Sequence, residues 1–165
     1  MFRRLQRRLL ARYYTWSVRR LASSCGDGLR VNGPSHVTRT TRLGRNVNFN
    51  GMRITGHGQV TIGDNFHSGE ECAIISEIHN YEGDAIPYDA TYLPRNVNIE
   101  DNVWIGFRVI ILGGVTIGEG AIIQAGSVVV RSIPAGAIAG GHPALVFSSR
   151  DRNHYEQLKG DGRFL

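Results

Sequence analysis

Residues 103–129 read VWIGFRVIILGGVTIGEGAIIQAGSVV, and through them an isoleucine returns at every sixth position. The series runs Ile99, Ile105, Ile111, Ile117 and Ile123, with Val129 next in phase. A second apolar or small series runs two residues ahead, at Val97, Val103, Val109, Val115, Ala121 and Ser127. A helix repeats every 3.6 residues and a half-buried strand every second residue, so neither sustains a period of six. Each hexad is read as one short flat strand and a turn, with the isoleucine pointing inward onto its counterpart in the next coil. The residue two places earlier falls near a corner with room for small side chains. Gly63, Gly106 and Gly118 each follow an inward position and suit the turns. Three strands per coil close a triangular prism filled with stacked aliphatic groups, in which each coil touches only its neighbours.

Working outward, Val37, Leu43 and Phe49 keep the same period. It resumes one residue out of phase at Ile62, Ser68 and Ile74, with Phe66, Cys72 and Ile78 in the accompanying series. The slip falls in GMRITGHGQV, residues 51–60, which predicts a bulged corner there. The segment HNYEGDAIPYDATYLPRN, residues 79–96, carries no hexad and reads as a loop protruding from the stack. The expected organisation is therefore a basic helix over 1–25, a repeat body over 26–147 and a helical tail over 148–165. In that tail Ser148 or Ser149 is the expected N-cap and Gly160 the expected stop.

At 165 residues the chain suits one domain, and its 21 glycines imply many tight turns. Cys25 and Cys72 are far apart, which supports neither a disulfide framework nor a cysteine zinc site, so a cytoplasmic location is expected. Seven of the 19 basic residues and none of the 14 acidic ones fall in residues 1–25, leaving 12 basic and 14 acidic in the rest. Within that segment Phe2, Leu5, Leu9, Tyr13 and Trp16 recur at helical spacing. Such a helix either packs on the body with its arginines in solvent or contacts an anionic membrane surface, which would place the protein peripherally at the inner membrane. Nucleic-acid binding finds no accompanying motif. Arginines interrupt any apolar run long enough for a signal peptide, and none reaches the ~18 residues of a membrane span.

The stretches IEDNVWIG (99–106) and ILGGVTIGEGAIIQAGSVVVRSIPAGAIAGGHPAL (111–145) resemble the hexapeptide-repeat acyltransferases, whose fold is a left-handed parallel β-helix. The resemblance spans about Val37 to Val146 and is closest to the acetyltransferases of sugars, polysaccharides and xenobiotics. It implies acetyl-CoA as donor, no metal, and a homotrimer with active sites between subunits. It also implies that a loop histidine before VWIG, here His79 in EIHNYEG, is the general base for direct attack of an acceptor hydroxyl on the thioester. Neutral imidazole, with a pKa near 6.5, suits that role. Glu77, Glu82, Asp84, Asp89 or a backbone carbonyl are the alternatives for its orienting partner.

By the same resemblance Trp104, on an outward position, lies against the donor site or against another subunit. Ala125, Gly126, Gly140 and Gly141 would let the pantetheine arm approach backbone. Arg131 stands where the family usually has lysine, within reach of the CoA phosphates. His142, Pro143 and Ala144 fall at the adenine end, although Gln124 and His142 replace the usual glycine and asparagine. Outward Trp104, Phe107, Ile110 and Ile122 are the apolar surface expected to be covered on assembly. Other readings are an N-acyltransferase on an amino sugar or antibiotic, a non-catalytic β-helix scaffold, and a gamma-type carbonic anhydrase. The last requires three histidines on zinc, and His57, His67 and His79 are its only nearby set.

Overall fold

The computed structural model describes residues 2–165, with side chains from Arg4 onward. The Phe2 and Arg3 side chains, counted in the apolar stripe and the basic set, thus lie outside the described residues. After helix α1 (Phe2–Leu21) the chain winds into coils of short strands. The first coil holds β1 (Ser24–Cys25) and β2 (Arg30–Val31). The second holds β3 (Thr41–Leu43), β4 (Asn48–Phe49) and β5 (Met52–Thr55), and the third β6 (Val60–Ile62), β7 (His67–Ser68) and β8 (Cys72–Ile75). A hairpin of β9 (Glu77–His79) and β10 (Tyr92–Pro94) then leaves the stack. The fourth coil is β11 (Val97–Ile99), β12 (Trp104–Ile105) and β13 (Ile110–Leu112). The fifth is β14 (Thr116–Ile117), β15 (Ile122–Ile123) and β16 (Val128–Val129). Strand β17 (Ala137–Gly140) starts the last coil, β18 (Leu145–Ser149) folds back antiparallel on it, and α2 (Arg152–Gly160) follows.

Three sheets, parallel throughout except for β18, form the faces of the resulting β-solenoid. Sheet A is β1-β3-β6-β11-β14, sheet B is β18-β17-β15-β12-β7-β4-β2, and sheet C is β16-β13-β8-β5. The register places like on like: Leu43, Ile62, Ile99 and Ile117 are direct partners across sheet A. Both periodic series from Val97 to Val129 are buried, which accounts for the six-residue rhythm. Buried Ser127 stays satisfied, because its hydroxyl donates to the Gln124 carbonyl and accepts from the Gly141 N–H. Gly106 and Gly118 sit where coils touch: an added Cβ would lie 2.6 Å from the Ala125 nitrogen and 2.4 Å from that of Ala135.

The lower coils correct several expectations. The accompanying slot is not restricted to small side chains, since Met52 and Phe66 fill it fully buried. Phe66 packs edge-on against Phe49 with ring centroids 5.9 Å apart, which widens this part of the core. Ile78 leaves that series and is partly exposed, because it sits in the hairpin. The phase slip has two parts, a short turn at Asn50–Gly51 and a long one over Gly56–Gln59, either side of β5. In the tail, Ser148 and Ser149 belong to β18, and the helix cap is Asp151, whose carboxylate accepts from the His154 N–H at 2.9 Å.

Candidate active site

Sheet C has two edges, and the sequence-predicted site residues divide between them. At the corner between sheets C and A, the third coil opens into the hairpin at Ser76 and returns at Arg95. The Arg95 N–H bonds the Ser76 carbonyl at 2.8 Å, so the neck is stapled and the solenoid continues as though nothing were inserted. His79 pairs across this hairpin with Tyr92. Its ring stacks on Tyr88 at 3.8 Å and 20°, and lies 4.5 Å from the Tyr92 ring. Two tyrosines thus restrict the imidazole, and neither was anticipated from the sequence. A YxxxY pair thirteen residues or fewer after the histidine is a faint signal, because it has no period to stand out from.

None of the four acids proposed to orient His79 hydrogen-bonds it. Glu77 instead accepts from the His57 backbone N–H at 3.0 Å and makes a close contact to the His57 Nδ1. Asp89 is taken by the Thr91 N–H and hydroxyl and by the Asp84 N–H. His79 Nδ1 is buried and has no partner among the described residues. A buried ring nitrogen left without a partner costs about 1–3 kcal/mol.

The second set gathers at the corner between sheets B and C. Ala125 and Gly126 form the turn from β15 to β16, and above it Gly140 ends β17 and Gly141 opens the turn into β18. Gly126 (φ +71°) bonds the Phe107 carbonyl through its N–H, and its missing Cβ faces open space, so the backbone is bare to an approaching ligand. Gly141 accepts from the Val128 N–H at 3.0 Å. His142 and Pro143 are exposed beyond it, whereas Ala144 is buried with its N–H on the Val128 carbonyl. Phe107, exposed with the Arg108 guanidinium over its ring at 4.8 Å, flanks this corner. Arg131 is exposed but lies past β16 at the other edge, on the histidine's side of sheet C.

Trp104 faces outward from sheet B at 49% exposure, between His67 and Ile122 in register. It borders a cavity of about 510 Å³ whose far wall is Tyr155, Leu158 and Phe164 of the tail. The tail is held by a polar ladder. Asn46, Asn65 and Asn102, all with φ between 54° and 61°, are linked amide to amide, and Asn102 donates on to Glu119 and to the Tyr155 hydroxyl. Asparagine tolerates that left-handed backbone better than most residues. The recurring RNV, DNF and DNV triplets were the legible signal for it. His67 lies on sheet B, while His57 and His79 flank Tyr92. Among the described residues no group of three or more His, Cys, Asp or Glu is placed to hold a metal ion. The outward apolar residues also separate, with Trp104 and Ile122 on sheet B, Phe107 at the corner and Ile110 on sheet C.

Comparison with known proteins places this geometry. Residues 96–131 match the family described as bacterial transferase hexapeptide (six repeats). The galactoside O-acetyltransferase of Escherichia coli is 32% identical over 84% of this chain and 70% of its own length. A galactoside acetyltransferase solved in complex with coenzyme A superposes with a TM-score of 0.74 at 28% identity, covering 92% of this chain and 82% of that one. A hexapeptide-repeat acetyltransferase of Vibrio cholerae, solved with acetyl coenzyme A, gives 0.70 at 30% identity over 81% and 74%. The chain spans between 41% and 70% of the length of four curated relatives it matches. It belongs to the hexapeptide-repeat acetyltransferase family.

Proposed function

We propose that the chain transfers an acetyl group from acetyl-CoA to a hydroxyl of a sugar or glycan precursor, in a site shared between neighbouring subunits of a homotrimer. The observation that carries this reading is the split of the candidate residues across sheet C. His79 and Arg131 lie at one edge, and Ala125, Gly126, Gly140 and Gly141 at the other. A strand such as β8, four residues long, separates the edges by about 13 Å. Between them the face presents exposed Ile75, Ile110 and Val130, an apolar strip suited to cover. Packing three such faces head to tail round a closed ring brings the histidine edge of each protomer against the glycine-alanine edge of the next. Acceptance of CoA by the acetyltransferases it resembles supports the donor assignment.

In this arrangement the narrow pantetheine arm runs along the bare backbone at Ala125, Gly126 and Gly141, and Arg131 offers a positive charge to phosphate. His79 Nε2, the ring nitrogen that is not buried, accepts the acceptor hydroxyl proton. The oxygen bonds to the thioester carbonyl carbon as that proton moves. The C–S bond then breaks, and the departing thiolate takes the proton from His79. Tyr88 and Tyr92 restrict the ring so that Nε2 is presented to the groove, and the neighbouring subunit supplies the acceptor that Nδ1 lacks. The reaction needs no acyl-enzyme.

Release of CoA thiol in the presence of acetyl-CoA and a panel of galactosides and other sugars tests the chemistry. No thiol release above hydrolysis with any hydroxyl acceptor would remove it. The shared site is tested by mixing His79→Ala subunits with Ala125→Trp subunits. A random mixture of trimers should restore about a quarter of the wild-type activity, because each mixed ring contains one interface with both halves intact. Verified mixed assembly without recovery, or a fully active monomer, would overturn it.

A further inference from the structure

The N-terminal helix carries its apolar stripe on the side that the fold does not use. Leu5, Leu9, Tyr13 and Trp16 follow one another at i, i+4, i+8 and i+11, and are between 56% and 60% exposed. The helix packs on the solenoid through another face. Val18 is buried, Tyr14 and Leu21 pack against the core, and the Thr15 hydroxyl accepts from the Val31 N–H at 3.0 Å. Two residues along a helix turn about 200°, so Trp16 points nearly opposite to Val18. Residues 4–10 are all exposed, so the first turns overhang the body. A helix that only needed to cap the first coil would not require a second apolar face.

Charge indicates what covers that face. At 100° per residue Arg8, Arg12, Arg19 and Arg20 flank the stripe, Arg4 and Arg7 lie farther round the helix, and residues 1–25 contain no acid. The rest of the chain has a slight acidic excess, so the attraction to an anionic partner is confined to this helix. The Arg20 guanidinium lies over the Trp16 ring at 5.4 Å, a cation held against the face of the exposed aromatic. Leucine and tryptophan between arginines match the acyl boundary and headgroup layers of a bilayer, with the long arginine stems reaching outward to phosphate. Among the described residues no helix is long and apolar enough to cross a membrane, which leaves a helix lying in the interface plane. Because the stripe is opposite the packing face, the helix can enter the headgroups while the solenoid stands clear of the surface.

We infer that α1 docks the protein on an anionic phospholipid bilayer, with Leu5, Leu9, Tyr13 and Trp16 inserted and the arginines on the headgroups. Docking is independent of the acetyl-transfer reading and needs no change in the solenoid. Its test is flotation of the full chain with vesicles of phosphatidylcholine alone or mixed with phosphatidylglycerol, at low and high salt. The chain should float with the mixed vesicles, lose most of that binding at high salt, and stay below with phosphatidylcholine alone. Each arginine at such a surface is worth roughly fivefold in partitioning, so Arg4→Gln/Arg8→Gln should weaken binding by more than tenfold. Leu5→Ser/Leu9→Ser should abolish it. All four positions are on the overhang, and retention of the wild-type circular dichroism and oligomeric size shows that the variants remain folded. Failure to float with anionic vesicles overturns the inference, as does undiminished flotation of both folded variants. So does a result in which α1 instead pairs prisms in solution or binds duplex DNA while leaving vesicles untouched. Thiol release assayed on the same samples reports the chemistry separately.

Discussion

The two corners that border sheet C obey different rules of length. The corner between sheets B and C is tight in the upper coils, where each turn is bound to the one below. Arg108 donates to the Glu70 carbonyl, and Gly126 to that of Phe107. Gly69 and Gly106 leave no room for a Cβ between successive turns. The opposite corner varies freely, from Gly113–Gly114 in the fourth coil, through Gly56–Gln59 in the second, to the whole hairpin in the third. Its coils remain in register because the neck bond from Arg95 to Ser76 closes the insertion off. The tight corner offers backbone, and backbone is what a narrow amide-bearing chain can lie against. The loose corner offers side chains held away from the stack, which a base requires.

The difference can be broken at its strongest point first. His79→Ala should lower turnover roughly 10²–10⁴-fold, while CoA still binds at the other corner. Equilibrium binding and steady-state rates on the same variant decide whether the corners separate in this way. Near-native turnover would deprive the loose corner of its role.

Insertion provides the next test. Two residues added beside Gly126 should destabilise by about 2–4 kcal/mol, since several coil-to-coil hydrogen bonds worth about 1 kcal/mol each are lost. The same insertion between Gly83 and Asp84, at the hairpin's far end, should leave the denaturation midpoint unchanged. Equal midpoints would show that the corners do not differ.

A smaller effect sharpens the account of the hairpin. Removing Tyr88 or Tyr92 to alanine takes away an aromatic contact of about 0.5–1.5 kcal/mol and should cost up to about tenfold in kcat with KM little changed. Phenylalanine should restore most of it, because stacking needs the ring and not the hydroxyl. If phenylalanine fails as badly as alanine, the hydroxyl has a part of its own.

The smallest effect concerns the tail, outside both corners. The Lys159 ammonium hydrogen-bonded to Glu119 holds its carboxyl below the ordinary 4.5, with burial opposing and the Tyr155 hydroxyl adding to the shift. A depressed carboxylate contributes its stability above that ordinary value and loses it as pH falls through the lower folded one. Protection of α2 amides from hydrogen exchange should therefore decline below about pH 4.5, by less than about 1 kcal/mol because the pair is partly solvated. Glu119→Gln should flatten that dependence.

Legibility in the sequence followed the same division. Ile99 to Val129 could be read outright, since a close-packed stack imposes its period on every residue that enters it. Gly126 and Gly141 were named through the family resemblance, because open space and a positive φ, unlike the crowding at Gly106, leave no periodic mark in the sequence. His79 was singled out through the break in the rhythm together with the family resemblance, and both Tyr88 and Tyr92 escaped notice. Hairpin contacts depend on how two strands pair, and no period records that. The size of the accompanying slot was misjudged for a related reason, since Phe66 sits there against Phe49 of the coil below. The stripe on α1 was visible at once, but its direction was not. Which side of a helix faces the body is decided by Val18 against the first coil, a tertiary contact that spacing alone does not encode.

The ends of sheet B have one more consequence. Parallel strands stacked in register, with bare edges above and below, are the geometry of a fibril, and any second prism could extend this one. Below, α1 lies on the free edge of β2 and takes the Val31 N–H with Thr15. Above, β18 turns the last strand back on itself with an irregular register at Ile138 and Ala139, which a parallel newcomer cannot match. The solenoid is thus a polymer stopped at both ends. Deleting α1 would remove one of those stops, and shortened chains should grow into filaments that wild-type protein never seeds.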